Sequence, residues 1–125
     1  MAKILIAEGE TDLRWSLRYA LARNKFEVVE ASSGEEVQDK VKREKPDLLV
    51  LDAHMPRKPG LEILDALKAD AATRGLPILY LTISAEKKGI EQALARGARD
   101  VLPKSSFSVL KLIYAVRKAL ENGKA

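Results

Sequence analysis

The chain has 125 residues, 46% of them hydrophobic and 32% charged, with a formal net charge of +4. That length suits one domain, expected over 1–125, and the composition is that of a globular chain rather than a disordered one. The lack of cysteine excludes disulfides, thiol catalysis and cysteine-ligated zinc; His54 is the single histidine and cannot build a histidine-rich metal site; and no apolar run approaches the roughly 18 residues of a spanning helix.

Short apolar runs alternate with longer segments of helical period, the pattern of βα units around a parallel sheet. The first strand is expected at 3–7. The first helix starts near Thr11 as its cap, turns Leu13, Leu17, Ala20 and Leu21 inward and ends around Asn24. A strand at 27–31 precedes a helix from Ser33, where Glu36 three residues on gives a capping-box signature; Val37 and Val41 face the sheet and Pro46 interrupts. The third strand, 48–51, is wholly apolar, as a central strand covered on both faces requires, and the third helix begins near Gly60 and buries Leu61, Leu64 and Leu67. After a fourth strand at 78–81, the polar segment 85–96 offers only Ile90, Ala93 and Leu94 to a core. It is expected to be the least firmly packed helix, with Gly97 as its C-cap. A fifth strand at 100–102 leads to a last helix, capped by Ser105 or Ser106, that carries Leu110, Ile113 and Leu120 on one stripe. The tail, 121–125, reads as a fraying helix end.

Residues 1–3 lead straight into the first strand without a signal-peptide layout, so the chain is expected in the cytoplasm and off the membrane. Its cations are dispersed among 18 acids, and the pairs Arg14/Arg18 and Lys40/Arg43 fall at helical spacing on polar faces. They read as solvated surface, and no nucleic-acid binding is expected of this domain. Trp15, off the apolar stripe, and His54, alone in a loop, read as ordinary exposed residues.

In an open parallel sheet, ligands bind outside the carboxyl ends of the strands, which here collect Glu8, Glu10, Asp52, Thr82 and Lys104. The set suits phosphoryl acceptance. A carboxylate attacks phosphorus to form an acyl phosphate, oxygen ligands hold Mg²⁺, and an ammonium and a hydroxyl stabilise the remaining charge. Asp52 is the expected nucleophile.

The layout resembles the receiver domains of two-component response regulators over essentially the whole chain. Residues 3–8 are similar to that family's first strand with its acidic end, 46–52 to its acceptor strand, and Met55-Pro56 with Gly60 to the loop that follows; Leu81-Thr82 and 97–100 continue the match to Lys104. The resemblance implies a doubly wound, flavodoxin-like α/β fold: a five-stranded parallel sheet of order 2-1-3-4-5 flanked by five helices. It implies Asp52 as phosphoacceptor, Thr82 as the hydroxyl that follows the phosphoryl group, and Lys104 as its lysine. It also implies Mg²⁺ held by Glu8, Asp52 and the backbone carbonyl of His54. The implied partners are a histidine kinase or phosphotransfer protein and a downstream effector or further domain. The effector is reached through the face of the fourth helix, fifth strand and fifth helix, and no enzymatic turnover of a substrate is implied.

Four positions depart from the pattern. Gly9 stands where a second acid is usual, so that Glu8, or Glu10 folding back, has to compensate. Ile83 replaces a small residue, Val101 replaces an aromatic one, and Ser105 rather than proline follows Lys104. These departures motivate an alternative, a phosphorylation-independent pseudo-receiver serving as an interaction module. Enzymatic readings fit less well: a phosphatase of the haloacid-dehalogenase type resembles Asp-x-Asp, whose second place is here His54, and the acidic Glu8-Gly9-Glu10 turn would repel a nucleotide phosphate.

Overall fold

Strands and helices alternate along the chain in the order β1 (Lys3–Ala7), α1 (Thr11–Arg23), β2 (Glu27–Ala31), α2 (Gly34–Glu44), β3 (Leu48–Asp52), α3 (Gly60–Ala69), β4 (Ile78–Thr82), α4 (Lys87–Ala95), β5 (Asp100–Pro103) and α5 (Val109–Asn122). The structure is a computed structural model that describes residues 1–83, 86–104 and 108–122. Its sheet has the order β2-β1-β3-β4-β5, with every pairing parallel. This is the expected doubly wound topology.

The period of two along each strand divides the core. Leu5, Ala7, Leu49, Leu51, Ile78 and Tyr80 point to one side and pack with Val37 and Val41 of α2, Ile63, Leu64 and Leu67 of α3, and Ala93 of α4. Ile4, Ile6, Leu48, Val50, Leu79 and Leu81 point to the other and meet Leu17 and Leu21 of α1 and Leu112 and Val116 of α5. Each fully buried Leu, Ile or Val side chain among them contributes about 1.5–3 kcal/mol. This two-sided burial is why the runs 4–7, 48–51 and 78–81 within β1, β3 and β4 are continuously apolar.

The ladders of β3, β4 and β5 run one residue past the expected ends, so Asp52 and Thr82 are strand residues rather than loop residues. Their backbones are therefore fixed by the sheet.

Several helix details differ from expectation. Glu10 occupies the N-cap position of α1 and Thr11 is its first residue. At α2 the capping box is not formed. The Ser33 carbonyl accepts the Glu36 N–H at 3.2 Å, while the Ser33 and Ser32 hydroxyls both turn to the Glu36 carboxylate, at 3.4 and 3.1 Å. In α3, Ile63 is buried and Leu61 only partly so, because the stripe runs 60, 63, 64, 67. In α4, Ala93 alone is buried among the described residues and Leu94 is exposed. Arg96 is its C-cap, and Gly97, at φ +107°, takes the position after it. The Gly97 N–H reaches the Leu94 carbonyl at 3.0 Å and the Ala98 N–H the Ala93 carbonyl at 3.1 Å, both bonds of a Schellman motif.

The expected caps Ser105 and Ser106, and the Lys104–Ser105 peptide, lie outside the described residues, as do position 85 and the tail from 123. For α5 the cap is Ser108, whose hydroxyl accepts the Lys111 N–H at 3.1 Å. Leu110 does not face the core and is 83% exposed; the buried stripe is Leu112, Ile113, Val116 and Ala119, with Leu120 partly covered. The nearly unbroken apolar run over 109–116 supports two readings of the inward face, and packing against α1 and the sheet selects this one.

Candidate functional site

Parallel strands in register bring equivalent ends together. Ala7 pairs with Leu51, so the next residues, Glu8 and Asp52, lie side by side where β1 and β3 end; Asp52 pairs with Leu81, one residue before Thr82. Across the next pairing, Thr82 is opposite Pro103, and Lys104 follows. The sheet thus delivers Glu8, Asp52, Thr82 and Lys104 to one edge, as the sequence implied.

Glu8 and Asp52 are 1% and 3% exposed, an unusual depth for two carboxylates. Lys104 joins them. Its Nζ lies 2.9 Å from Asp52 Oδ1 and 3.0 Å from Glu8 Oε1. Asp52 Oδ1 also accepts the His54 N–H at 3.1 Å, and Glu8 Oε2 accepts the Glu10 N–H at 3.0 Å. Glu8 Oε1 is buried with no directed hydrogen-bond donor among the described residues, so its tie to Lys104 is ionic.

The electrostatics follow from this burial. Desolvation pushes the Glu8 carboxyl above its ordinary range; the Glu10 N–H and Lys104 oppose the rise and the neighbouring Asp52 adds to it. For Lys104, burial works against the charge, but the contact with Asp52 and the attraction of Asp52 and Glu8 outweigh it and raise the ammonium's pKa. A partly buried cation with a firmly held proton therefore sits between two acids.

The remaining expected residues are placed as follows. Thr82 is partly buried at the end of β4, and Ile83 beyond it is 60% exposed. Val101 packs at the margin of the core directly across from Tyr80, which is buried and whose hydroxyl is held un-ionised by desolvation and by the charge of Asp52. The His54 side chain is exposed, and its backbone belongs to the loop that leaves Asp52. Glu10 contributes its N–H to Glu8 and has an exposed side chain.

Two features escaped the sequence reading. Arg14 and Arg18 pair across elements: both bond Glu30 of β2, at 3.2 and 3.0 Å, Arg18 staying exposed as a solvated face requires while Arg14 is partly buried, and Arg14 Nη1 also donates to the Glu8 carbonyl at 2.9 Å. Lys40 likewise bonds the Glu30 carbonyl. These partners lie on other elements, so spacing within a helix gave no signal of them. The second feature is the loop over 53–59, which lies against the turn containing Gly9: a Cβ on Gly9 would come within 2.6 Å of Pro56 Cδ.

Residues 4–117 match the response regulator receiver domain family. The phosphate regulon transcriptional regulatory protein PhoB of Klebsiella pneumoniae is 30% identical, over 94% of this chain and 51% of its own length. The transcriptional regulatory protein PdtaR of Mycobacterium tuberculosis is 36% identical, over 94% of this chain and 56% of its own. The chain spans about half the length of these curated relatives. Among solved structures, the chemotaxis response regulator CheY4 of Vibrio cholerae superposes with a TM-score of 0.88 at 26% identity, over 95% of this chain and 98% of that one. A response regulator receiver domain protein from Clostridium thermocellum gives 0.90 at 25% identity, over 99% and 98%.

Proposed function

This chain belongs to the response-regulator receiver family of two-component systems, and we propose that it accepts a phosphoryl group on Asp52 from the phosphohistidine of a histidine kinase or phosphotransfer protein. The observation that carries the reading is the buried triad in which Lys104 bridges Asp52 and Glu8. His54 N–H and Lys104 both engage Oδ1 of Asp52, and neither of these contacts uses Oδ2, the oxygen assigned to attack phosphorus. As the new P–O bond forms, the bond to the donor nitrogen breaks and the imidazole leaves with a proton. Lys104, whose pKa is raised, keeps its charge and stabilises the phosphoryl oxygens. Thr82 is assigned to hydrogen-bond the phosphoryl group afterwards.

Receiver domains generally bind Mg²⁺ at this site. The residues here fit a hard cation that retains several waters: two adjacent carboxylates, one with a buried oxygen that lacks a directed donor. Glu8, Asp52 and the His54 carbonyl are the ligands assigned to it, and the ion would supply charge neutralisation at the phosphoryl oxygens.

Output is proposed to pass through α4, β5 and α5, which carry exposed Leu94, Val109, Leu110 and Tyr114, to an effector protein or a further domain. α4, with Ala93 as its one buried residue among those described, is the element that such a charge change would bias most cheaply. No turnover of an external substrate and no nucleic-acid contact are assigned to this domain.

The test is intact-protein mass after incubation with acetyl phosphate and Mg²⁺. A single phosphoryl adduct on the wild type, absent from Asp52→Asn, is expected. A second reading, a phosphorylation-independent interaction module, is favoured by Gly9 and its closure by Pro56. Partner binding unchanged in Asp52→Asn would establish that reading over the first.

A further inference from the structure

Among the described residues, Tyr80 is the only ring in the core on the side of α2, α3 and α4. It brings a hydroxyl into a cluster otherwise made of aliphatic side chains and Met55. The residue is 5% exposed, and its ladder partner on β5, Val101, is small and only partly buried. The bulk at this level of the sheet therefore lies on β4.

The ring touches the Asp52 end of the sheet. A Cβ on Gly60, the first residue of α3, would lie 3.0 Å from Tyr80 Cε1, 2.8 Å from the Asp52 carbonyl oxygen and 2.7 Å from Ala53 Cα. Gly60 does not have a positive φ, so what it lacks is space. Its N–H closes the contact on the Ala53 carbonyl at 2.9 Å. Ring edge, head of α3 and the backbone that carries Asp52 thus meet at one point.

On its other side the ring shares one packed cluster with Ala93 of α4 and with Ala98, whose N–H bonds the Ala93 carbonyl at 3.1 Å. Burial raises the pKa of the Tyr80 hydroxyl most; of the charges around it, Asp52 raises it further and Arg96 lowers it. Arg96 is the C-cap of α4 and pairs with Asp65 of α3 at 3.1 Å. The side chain therefore spans from the carboxylate to the last turn of α4.

We infer that Tyr80 is the residue through which a change of charge on Asp52 reaches α4, its ring acting as a packed wedge between Gly60 and Ala93. Close-packed interiors transmit a displacement rather than absorb it. A movement of the backbone at 52–53 presses on Gly60 and the ring, and α4, with Ala93 as its one buried residue among those described, has little else to hold it. A shorter side chain at 80 would leave a gap in that path. The inference rests on the reading of α4 as the responding element and names the side chain that drives it.

The experiment is hydrogen exchange by mass spectrometry, comparing Asp52 with Asp52→Asn in three backgrounds: wild type, Tyr80→Phe and Tyr80→Leu. Loss of the charge is expected to change exchange in α4 by about fivefold or more with tyrosine or phenylalanine at 80, and by less than about twofold with leucine, while α1 stays the same. An equal response with leucine, or none with tyrosine, would overturn the inference. So would a response lost in Tyr80→Phe, which keeps the ring and its packing. Where Tyr80→Leu fails to fold, Tyr80→Met, which fills more of the space without a ring, takes its place with the same expectation. A phosphoryl adduct on Asp52 together with no response in α4 would leave phosphoryl acceptance standing and overturn this inference alone.

Discussion

Burial of Glu8 under Lys104 sets two tendencies against each other, since desolvation favours the protonated acid while the ammonium favours the carboxylate. Desolvation is the larger, and the folded-state pKa of Glu8 is raised above its ordinary 4.5. Such a group supports folding while it is protonated, and that support is lost as pH climbs through the raised value. Glu8→Gln, which stays neutral, is therefore expected to unfold at a higher temperature than the wild type at pH 7.5, with the difference closing as pH falls toward 4.5. Melting both proteins across that range by circular dichroism checks it; a difference that widens on acidification would show that Lys104 dominates. At this scale, Glu8, Asp52, Thr82 and Lys104 were legible because each ends or follows an apolar run. Arg14 was not, since its partner Glu30 lies 16 positions away and only the packing of α1 beside β2 brings them together.

Elements were legible wherever one stripe of apolar residues was unambiguous. The first two helices and all five strands were read nearly to their ends, and the third helix at its start, because alternation and period left few solutions. Misreadings occurred where composition permitted two, as with Leu61 and Ile63 in α3 and most plainly in α5: Leu110 and Leu112 are equally apolar, and only docking against α1 and the sheet decides that Leu112 is buried and Leu110 is not. Leu112→Ala is accordingly expected to cost about 2–5 kcal/mol and Leu110→Ala no more than about 0.5 kcal/mol, measured by urea unfolding. Ser108→Ala should cost about 1 kcal/mol through loss of the cap on the Lys111 N–H, a role invisible in a serine-rich stretch with several candidates.

For the whole molecule, the strand order was implied by family resemblance, whereas the alternation of strand and helix alone argued for a parallel sheet. Its cores on the two sides share β1, β3 and β4, so the centre of the sheet is the part whose exposure requires global unfolding. Hydrogen exchange is expected to be slowest in these three strands and fastest, among the helices, in α4; protection in α4 equal to that in α1 would refute its assignment as the mobile element. The outer strands invite a different question, that of self-association. β2 carries Glu27 and Glu30, and because the Ala31 carbonyl faces β1, accepting the Glu8 N–H, that of Glu30 faces outward, where Lys40 occupies it. β5 has only four residues, opens on exposed Asp100 and closes on Pro103. A neighbouring chain that tried to extend the sheet would find charges, an occupied carbonyl and a proline in place of a continuous ladder, so each copy of this domain is built to stop at five strands.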